Sequence, residues 1–254
     1  MQHPNDQLHE RVLKEKHWHN EISEDNDKRS DQHKYYTIML YLNEQLDQEI
    51  YSGVHSEHKF LDYGCGGGDY LITRSTNFNI GVGIDISEAL VEWANQRTKE
   101  ENIANISFSV MDAMNTTFTN EEYNTIRGSG ILHHLDINAS LTEIKRILKD
   151  NGTAYFIEPL NTNPLIRLYR KLTPDVRTID EQPLRIKDIK LIKKLFPATE
   201  INYYSFLTLL AVPFRNKKCF QKLLSFLSAI DSILLSNRSP LKWLAWICIL
   251  KLRK

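Results

Sequence analysis

The chain has 254 residues, 41% hydrophobic and 25% charged, with Lys+Arg 32 against Asp+Glu 32 and hence no net charge. That length and composition allow an ample core in one or two domains, and they exclude wholesale disorder and a small disulfide scaffold. Neutrality hides a division: residues 1 to 159 carry 14 Lys+Arg and 26 Asp+Glu (−12), and residues 160 to 254 carry 18 and 6 (+12).

The opening stretch, MQHPNDQLHERVLKEKHWHNEISEDNDKRSDQH, is polar where a secretory leader needs an apolar run, so the chain reads as cytoplasmic. From Asp6 to Glu49 the pattern is helical, with a charged break from Glu24 to Asp31 and an apolar-periodic piece through Tyr35, Tyr36, Met39, Leu40, Leu42 and Leu46. Residues 1–50 are expected to form a helical lid, and residues 51–254 a single domain. From Lys59 the pattern becomes short apolar runs separated by helical stretches: KFLDYG, IGVGIDI, ISFSVMD, YNTIRGSGIL and TAYFIEPL. Such alternation predicts a parallel sheet. Helices are predicted over Glu88 to Glu101, opened by Ser87, and over Asn138 to Lys149, closed by Asn151 and Gly152, with Leu141, Ile144, Ile147 and Leu148 as the buried stripe.

Residues 160–195 form a basic, Pro-marked insertion on the acceptor side, with Arg167, Arg170, Lys171, Arg177 and Arg185 set among Leu, Ile and Tyr. INYYSFLTLLAVPF is predicted as a sixth strand. An amphipathic helix over residues 217–237 follows, its apolar face being Phe220, Leu223, Leu224, Leu227, Ile230 and Leu234. The run from Trp243 to Leu250 falls short of the roughly 20 residues of a membrane span and reads as the last strand. Cys65, Cys219 and Cys248 are far apart with no CxxC, so no metal site is expected and a reducing compartment fits.

FLDYGCGGGDY, residues 60–70, puts Gly64, Gly66, Gly67 and Gly68 directly after an apolar strand. Glycine there lets the backbone turn tightly and approach a ligand, and exposed N–H groups at the start of a helix favour a carboxylate or other anion. Asp85, about twenty residues on at the end of the second strand, stands where a carboxylate accepts from both hydroxyls of a ribose. A dinucleotide fingerprint from Gly64 would need its third glycine at position 69, which is Asp69, so NAD is disfavoured.

With GIDIS, VMDA, GSGILHHLD and EIKRILKDNG behind it, the pattern Asp62-x-Gly64-x-Gly66-x-Gly68 resembles the class I S-adenosylmethionine-dependent methyltransferases, of the menaquinone and ubiquinone type, over residues 59–159. The resemblance implies a Rossmann-like, doubly wound seven-stranded α/β sheet, mostly parallel with an antiparallel last strand, and S-adenosyl-L-methionine as cofactor. It sets Gly64, Cys65 and Gly66 against the methionine part, with Gly68 completing the turn, Asp85 and Ile86 at the ribose, Met111, Asp112 and Ala113 at the adenine, and Ser129 by the sulfonium. Asp62 orders the turn or reaches the cofactor's amino group through water. Read singly, Asp112 equally suits a helix cap and Asp85 a turn. One departure is Arg127, a charge inside the fourth strand, which either binds an anion or lies at a sheet edge. Another is the absence of Pro-Phe after Asp112.

Methyl transfer needs proximity, alignment and removal of the acceptor's proton. His133 and His134 in GILHHLD are candidate bases at the end of the fourth strand, where their side chains are expected to face opposite ways. Glu158, ending the fifth strand, is a third candidate, and Tyr35 and Tyr36 are others. His17 and His19, two apart on a helix, face different ways and do not suit a metal; Trp18 between them suits the lid. The expected acceptor is a small molecule, hydrophobic and lipid-like or anionic and phosphorylated, with O-methylation favoured. Nucleic acid is disfavoured because no reading module is present. Peripheral membrane contact and either a monomer or a homodimer are compatible with the pattern. The rival readings are an NAD-linked oxidoreductase and a catalytically silent cofactor-binding partner.

Overall fold

The computed structural model describes residues 33–53, 58–173 and 181–254. His17, Trp18, His19, the break at Glu24 to Asp31 and Arg177 lie outside the described residues, as do the side chains of Tyr35, Tyr36, Met39 and Leu40. The strands are β1 (Lys59–Tyr63), β2 (Ile80–Asp85), β3 (Ile106–Val110), β4 (Tyr123–Ser129), β5 (Leu148–Pro159), β6 (Glu200–Tyr204) and β7 (Ile247–Arg253). They form one sheet in the order β3-β2-β1-β4-β5-β7-β6, parallel throughout except for β7, which is antiparallel to both neighbours. The order reverses between β1 and β4, and in such folds ligands bind at the carboxyl ends of the strands flanking that reversal.

Alternating side chains feed two cores. Leu61 and Tyr63 of β1, Ala154 and Phe156 of β5, and Cys248, Leu250 and Leu252 of β7 face one layer, with helices α4 (Ile137–Ile147) and α6 (Ile186–Leu195) packed on it. Phe60, Tyr155, Ile157, Ile247 and Ile249 face the other, covered by α1 (His33–Gly53), the single turn α2 (Asp69–Thr73), α3 (Glu88–Glu100) and α7 (Phe220–Leu234). This is the period-2 alternation of strands buried on both faces. The buried stripe of α1 is Ile38, Leu42, Leu46 and Ile50, each at most 2% exposed. That spacing of four makes α1 part of this layer. No helix of the described residues is long and apolar enough to cross a membrane.

The expected bounds shift at several elements: the helix expected over 217–237 is α7 (Phe220–Leu234), and the last strand, expected over Trp243 to Leu250, is β7 (Ile247–Arg253). Helix α4 is capped by Asp136, which accepts from Ala139 N–H at 2.8 Å, and it ends at Ile147 instead of Lys149. Leu148 is already extended and pairs with Tyr123 of β4, so long-range pairing takes the end of the helical stripe. The sixth strand stops at Tyr204 because Ser205 turns at φ 66° and residues Leu207–Phe214 wind into a 3-10 run. Asp231 holds that turn by accepting from the N–H groups of Phe206, Leu207 and Thr208. The basic insertion contains α5 (Pro164–Leu172), capped by Asn163, followed beyond the described gap by α6.

Candidate active site

The turn after β1 folds as its glycines require. Gly64, Gly66 and Gly68 have φ of 79°, 51° and 80°, values open to glycine and costly for other residues. Their side-chain positions differ. A Cβ on Gly64 would stand 2.8 Å from Ile131, and one on Gly68 would stand 2.7 Å from Phe108 and 2.8 Å from Ala94. A Cβ on Gly66 would meet nothing within 4 Å, so the open side of the turn is at Gly66. At Gly68 the packing of Phe108 and Ala94 requires the glycine as well as its φ. Cys65 is buried against Gly83, and burial pushes its thiol well up, which leaves it only a backbone part in the site.

Asp85 ties the turn to β2. Its two oxygens accept from Gly66 N–H at 2.8 Å and Ser87 N–H at 3.0 Å, while Gly64 and Cys65 both donate to Ile84 C=O at 2.9 Å. Each carboxylate oxygen has a second lone pair, so Asp85, half-buried, keeps acceptor capacity toward the cleft. Ile86 beside it is also half-buried. Met111 N–H donates to Asp85 C=O at 2.9 Å, which brings the end of β3 alongside. Asp112 accepts from Met114 N–H through Oδ1 at 2.8 Å, making a turn cap that leaves Oδ2 for other work. Ala113 is buried, its carbonyl accepting from the Tyr63 hydroxyl.

Arg127 is not at a sheet edge. It lies on β4, inside the sheet, opposite Asp62 of β1, and Asp62 accepts from its Nη1 at 3.2 Å with both side chains buried. Asn43 of α1 accepts from Nη2 at 2.5 Å, and the Tyr70 ring centroid is 3.8 Å from the guanidinium carbon. Burial pushes the Asp62 carboxyl up to about 6, with Arg127 opposing that rise only in part. Asp62 therefore serves the fold through Arg127.

His133 and His134 do not sit on a strand and do not face opposite ways. They belong to a 3-10 turn, Leu132–His134, with ring centroids 4.1 Å apart. Glu158 holds this turn. Its Oε1 accepts from Ile131 N–H at 3.0 Å and Leu132 N–H at 2.8 Å, and its Oε2 accepts from His133 N–H at 3.3 Å and lies 2.7 Å from His133 Nδ1. Glu158 is fully buried, with both oxygens bonded to the turn and to His133. With Nδ1–H donated to Glu158, the lone pair lies on Nε2, a tautomer assigned from the network. Glu181, held by Arg170 at 2.8 Å, has Oε1 3.6 Å from that Nε2. Glu181 was missed by sequence reasoning, its one signal being an acid among bases. Ser129 ends β4, half-buried, before Gly130 turns at φ 68°. Among the described residues no group of three or more His, Cys, Asp or Glu is placed to hold a metal.

Comparison with known proteins agrees with this fold. Residues 60–152 match the model of a methyltransferase domain family. The uncharacterized methyltransferase YcgJ of Bacillus subtilis is 26% identical over 104 residues, 41% of this chain and 41% of that protein. The demethylmenaquinone methyltransferase of Lactococcus lactis is 26% identical over 170 residues, 54% of this chain and 67% of that one. The chain therefore spans less than half of the first of these relatives and about two thirds of the second. In fold, the geranyl diphosphate C-methyltransferase of Streptomyces coelicolor, solved with Mg2+, geranyl diphosphate and S-adenosyl-L-homocysteine, superposes with TM-score 0.57 at 14% identity, covering 83% of this chain and 79% of that one. Residues 60–152 thus match a methyltransferase domain, and the chain is similar to class I S-adenosylmethionine-dependent methyltransferases.

Proposed function

We propose that the protein transfers a methyl group from S-adenosylmethionine to a hydroxyl of a small acceptor, hydrophobic or anionic, with His133 as the base. The observation that carries the reading is the Glu158–His133 pair, buried at the carboxyl end of β4 and β5 beside the glycine turn. The open side at Gly66 is a cradle that a Cβ would fill, and it lies next to the acids ending β2 and β3, so the residues present fit the cofactor. When bound, the cofactor supplies an electrophilic methyl on a sulfonium.

The chain does the rest. The remaining lone pairs of Asp85 accept from the ribose hydroxyls, the free oxygen of Asp112 accepts from the adenine amino group, and Met111 and Ala113 border the ring. Ile86, Ser129 and the backbone of Gly64 and Cys65 complete the wall. His133 takes the acceptor's proton on Nε2, and the resulting imidazolium stands between Glu158 and Glu181, whose charges stabilise it. Removing that proton matters most for a hydroxyl, which favours O-methylation. The altered fourth strand that motivated a silent partner protein is accounted for by the Asp62–Arg127 pair, so it does not count against catalysis.

Incubating the protein with labelled donor and a panel of small acceptors, and locating the methyl by mass spectrometry, tests the reading. His133→Ala is expected to abolish labelling with cofactor affinity unchanged, while His134→Ala keeps most of it. Equal loss of cofactor binding in His133→Ala, or a label found on carbon or nitrogen, contradicts it.

A further inference from the structure

From Ile201 to Lys254 the chain carries nine Lys+Arg and one acid, Asp231. Asp231 is 3% exposed and spent inside the fold, accepting from three backbone N–H groups and the Thr208 hydroxyl. Of the nine cations, Lys251, Arg253 and Lys254 pair with acids of other elements. Arg215, Lys217, Lys218 and Lys222, on the loop into α7 and its first turn, are exposed and make no ion pair among the described residues.

Helix α7 buries Phe220 and Leu224 and turns a second apolar face outward. Lys222, Phe226, Ala229 and Ile233 recur at i, i+4, i+7 and i+11 and so share that face, with Phe226 63% and Ile233 75% exposed. The 3-10 run packed on α7 adds Leu210 at 62% and Phe214 at 45%. Large side chains held in water beside a cluster of cations, in a stretch from Ile201 to Lys254 with no exposed acid, are the composition of a helix that lies in a membrane interface.

We propose that this face, the 3-10 run Leu207–Phe214 together with α7, docks on the surface of an anionic lipid bilayer. Phe226 and Ile233 enter the headgroup boundary, and Arg215, Lys217, Lys218 and Lys222 face the lipid phosphates. Charge selects the bilayer over a second copy of the chain, because two such faces in contact would bring eight unpaired cations together without a counter-charge.

Co-sedimentation of the full chain with vesicles of phosphatidylcholine alone, or mixed with about 30% phosphatidylglycerol, tests the proposal. Binding is expected to the anionic vesicles only, and to fall as added salt shortens the Debye length to a few ångströms. Reversing Lys217, Lys218 and Lys222 to Glu should lower the partition coefficient on the order of a hundredfold. Phe226→Ser with Ile233→Ser should lower it at least tenfold, circular dichroism reporting an unchanged fold. Equal partition of native and variant proteins overturns the proposal. So does a doubled solution mass that Phe226→Ser abolishes while vesicles bind nothing.

Discussion

Replacing Asp62 by Asn pits two opposed effects against each other, and magnitude decides between them. The carboxylate faces Arg127 at 3.2 Å, which suggests that losing its charge would destabilise the fold. Yet burial pushes the carboxyl up to about 6 from 3.8, so in the folded state desolvation outweighs the attraction of Arg127. Because the folded pKa lies above the unfolded one, the folded state binds the proton more tightly. The resulting stability is complete below pH 3.8 and lost as pH rises through 6. The full difference is on the order of 3 kcal/mol, part of which is lost between pH 5 and pH 7.5. The amide is isosteric with the protonated acid, keeps an acceptor for Arg127 and does not titrate. Asp62→Asn is therefore expected to be more stable than the native protein at pH 7.5, by at most ~3 kcal/mol, with the gap narrowing toward pH 5. Urea unfolding of both proteins across that range measures it. A variant less stable at pH 7.5, with a gap that does not change with pH, would refute the reasoning and make the Arg127 attraction dominant.

Other outcomes follow from the same geometry. Asp85→Ala should weaken cofactor binding by about 1–3 kcal/mol in titration calorimetry, through lost charged hydrogen bonds to ribose; unchanged affinity excludes that role. Glu158→Gln should lower kcat on the order of a hundredfold with KM little moved, because His133 loses the carboxylate that orients its ring. An unchanged kcat with a lowered Tm alone would reduce Glu158 to a turn cap. Gly68→Ala, at φ 80° and 2.7 Å from Phe108, should cost roughly 1–3 kcal/mol in thermal unfolding. Gly66→Ala should chiefly lower cofactor affinity, its side chain entering open space.

Most of the sheet was legible because its strands are buried on both faces and read as short apolar runs between helical stretches, as with KFLDYG and TAYFIEPL. The misread parts depend on partners far away in sequence. Arg127 looked foreign to a strand because its counter-ion lies 65 residues earlier on β1. The run from Ile201 to Phe214 is largely apolar, but Asp231 catches its N–H groups and bends the second half out of the sheet. Strand geometry would put the two histidines on opposite faces; Glu158 instead holds their backbone in a turn that brings the rings together at a tilt. Four glycines in a row of five showed where the turn is, but only the space around each one separates Gly66 from Gly64 and Gly68.

The central claim is that the glycine turn and Asp85 hold S-adenosylmethionine. Titration calorimetry of the native chain with adenosylmethionine, adenosylhomocysteine and NAD tests it most directly. The account predicts saturable heat with the first two, reduced in Asp85→Ala, and none with NAD; heat with NAD alone would contradict it.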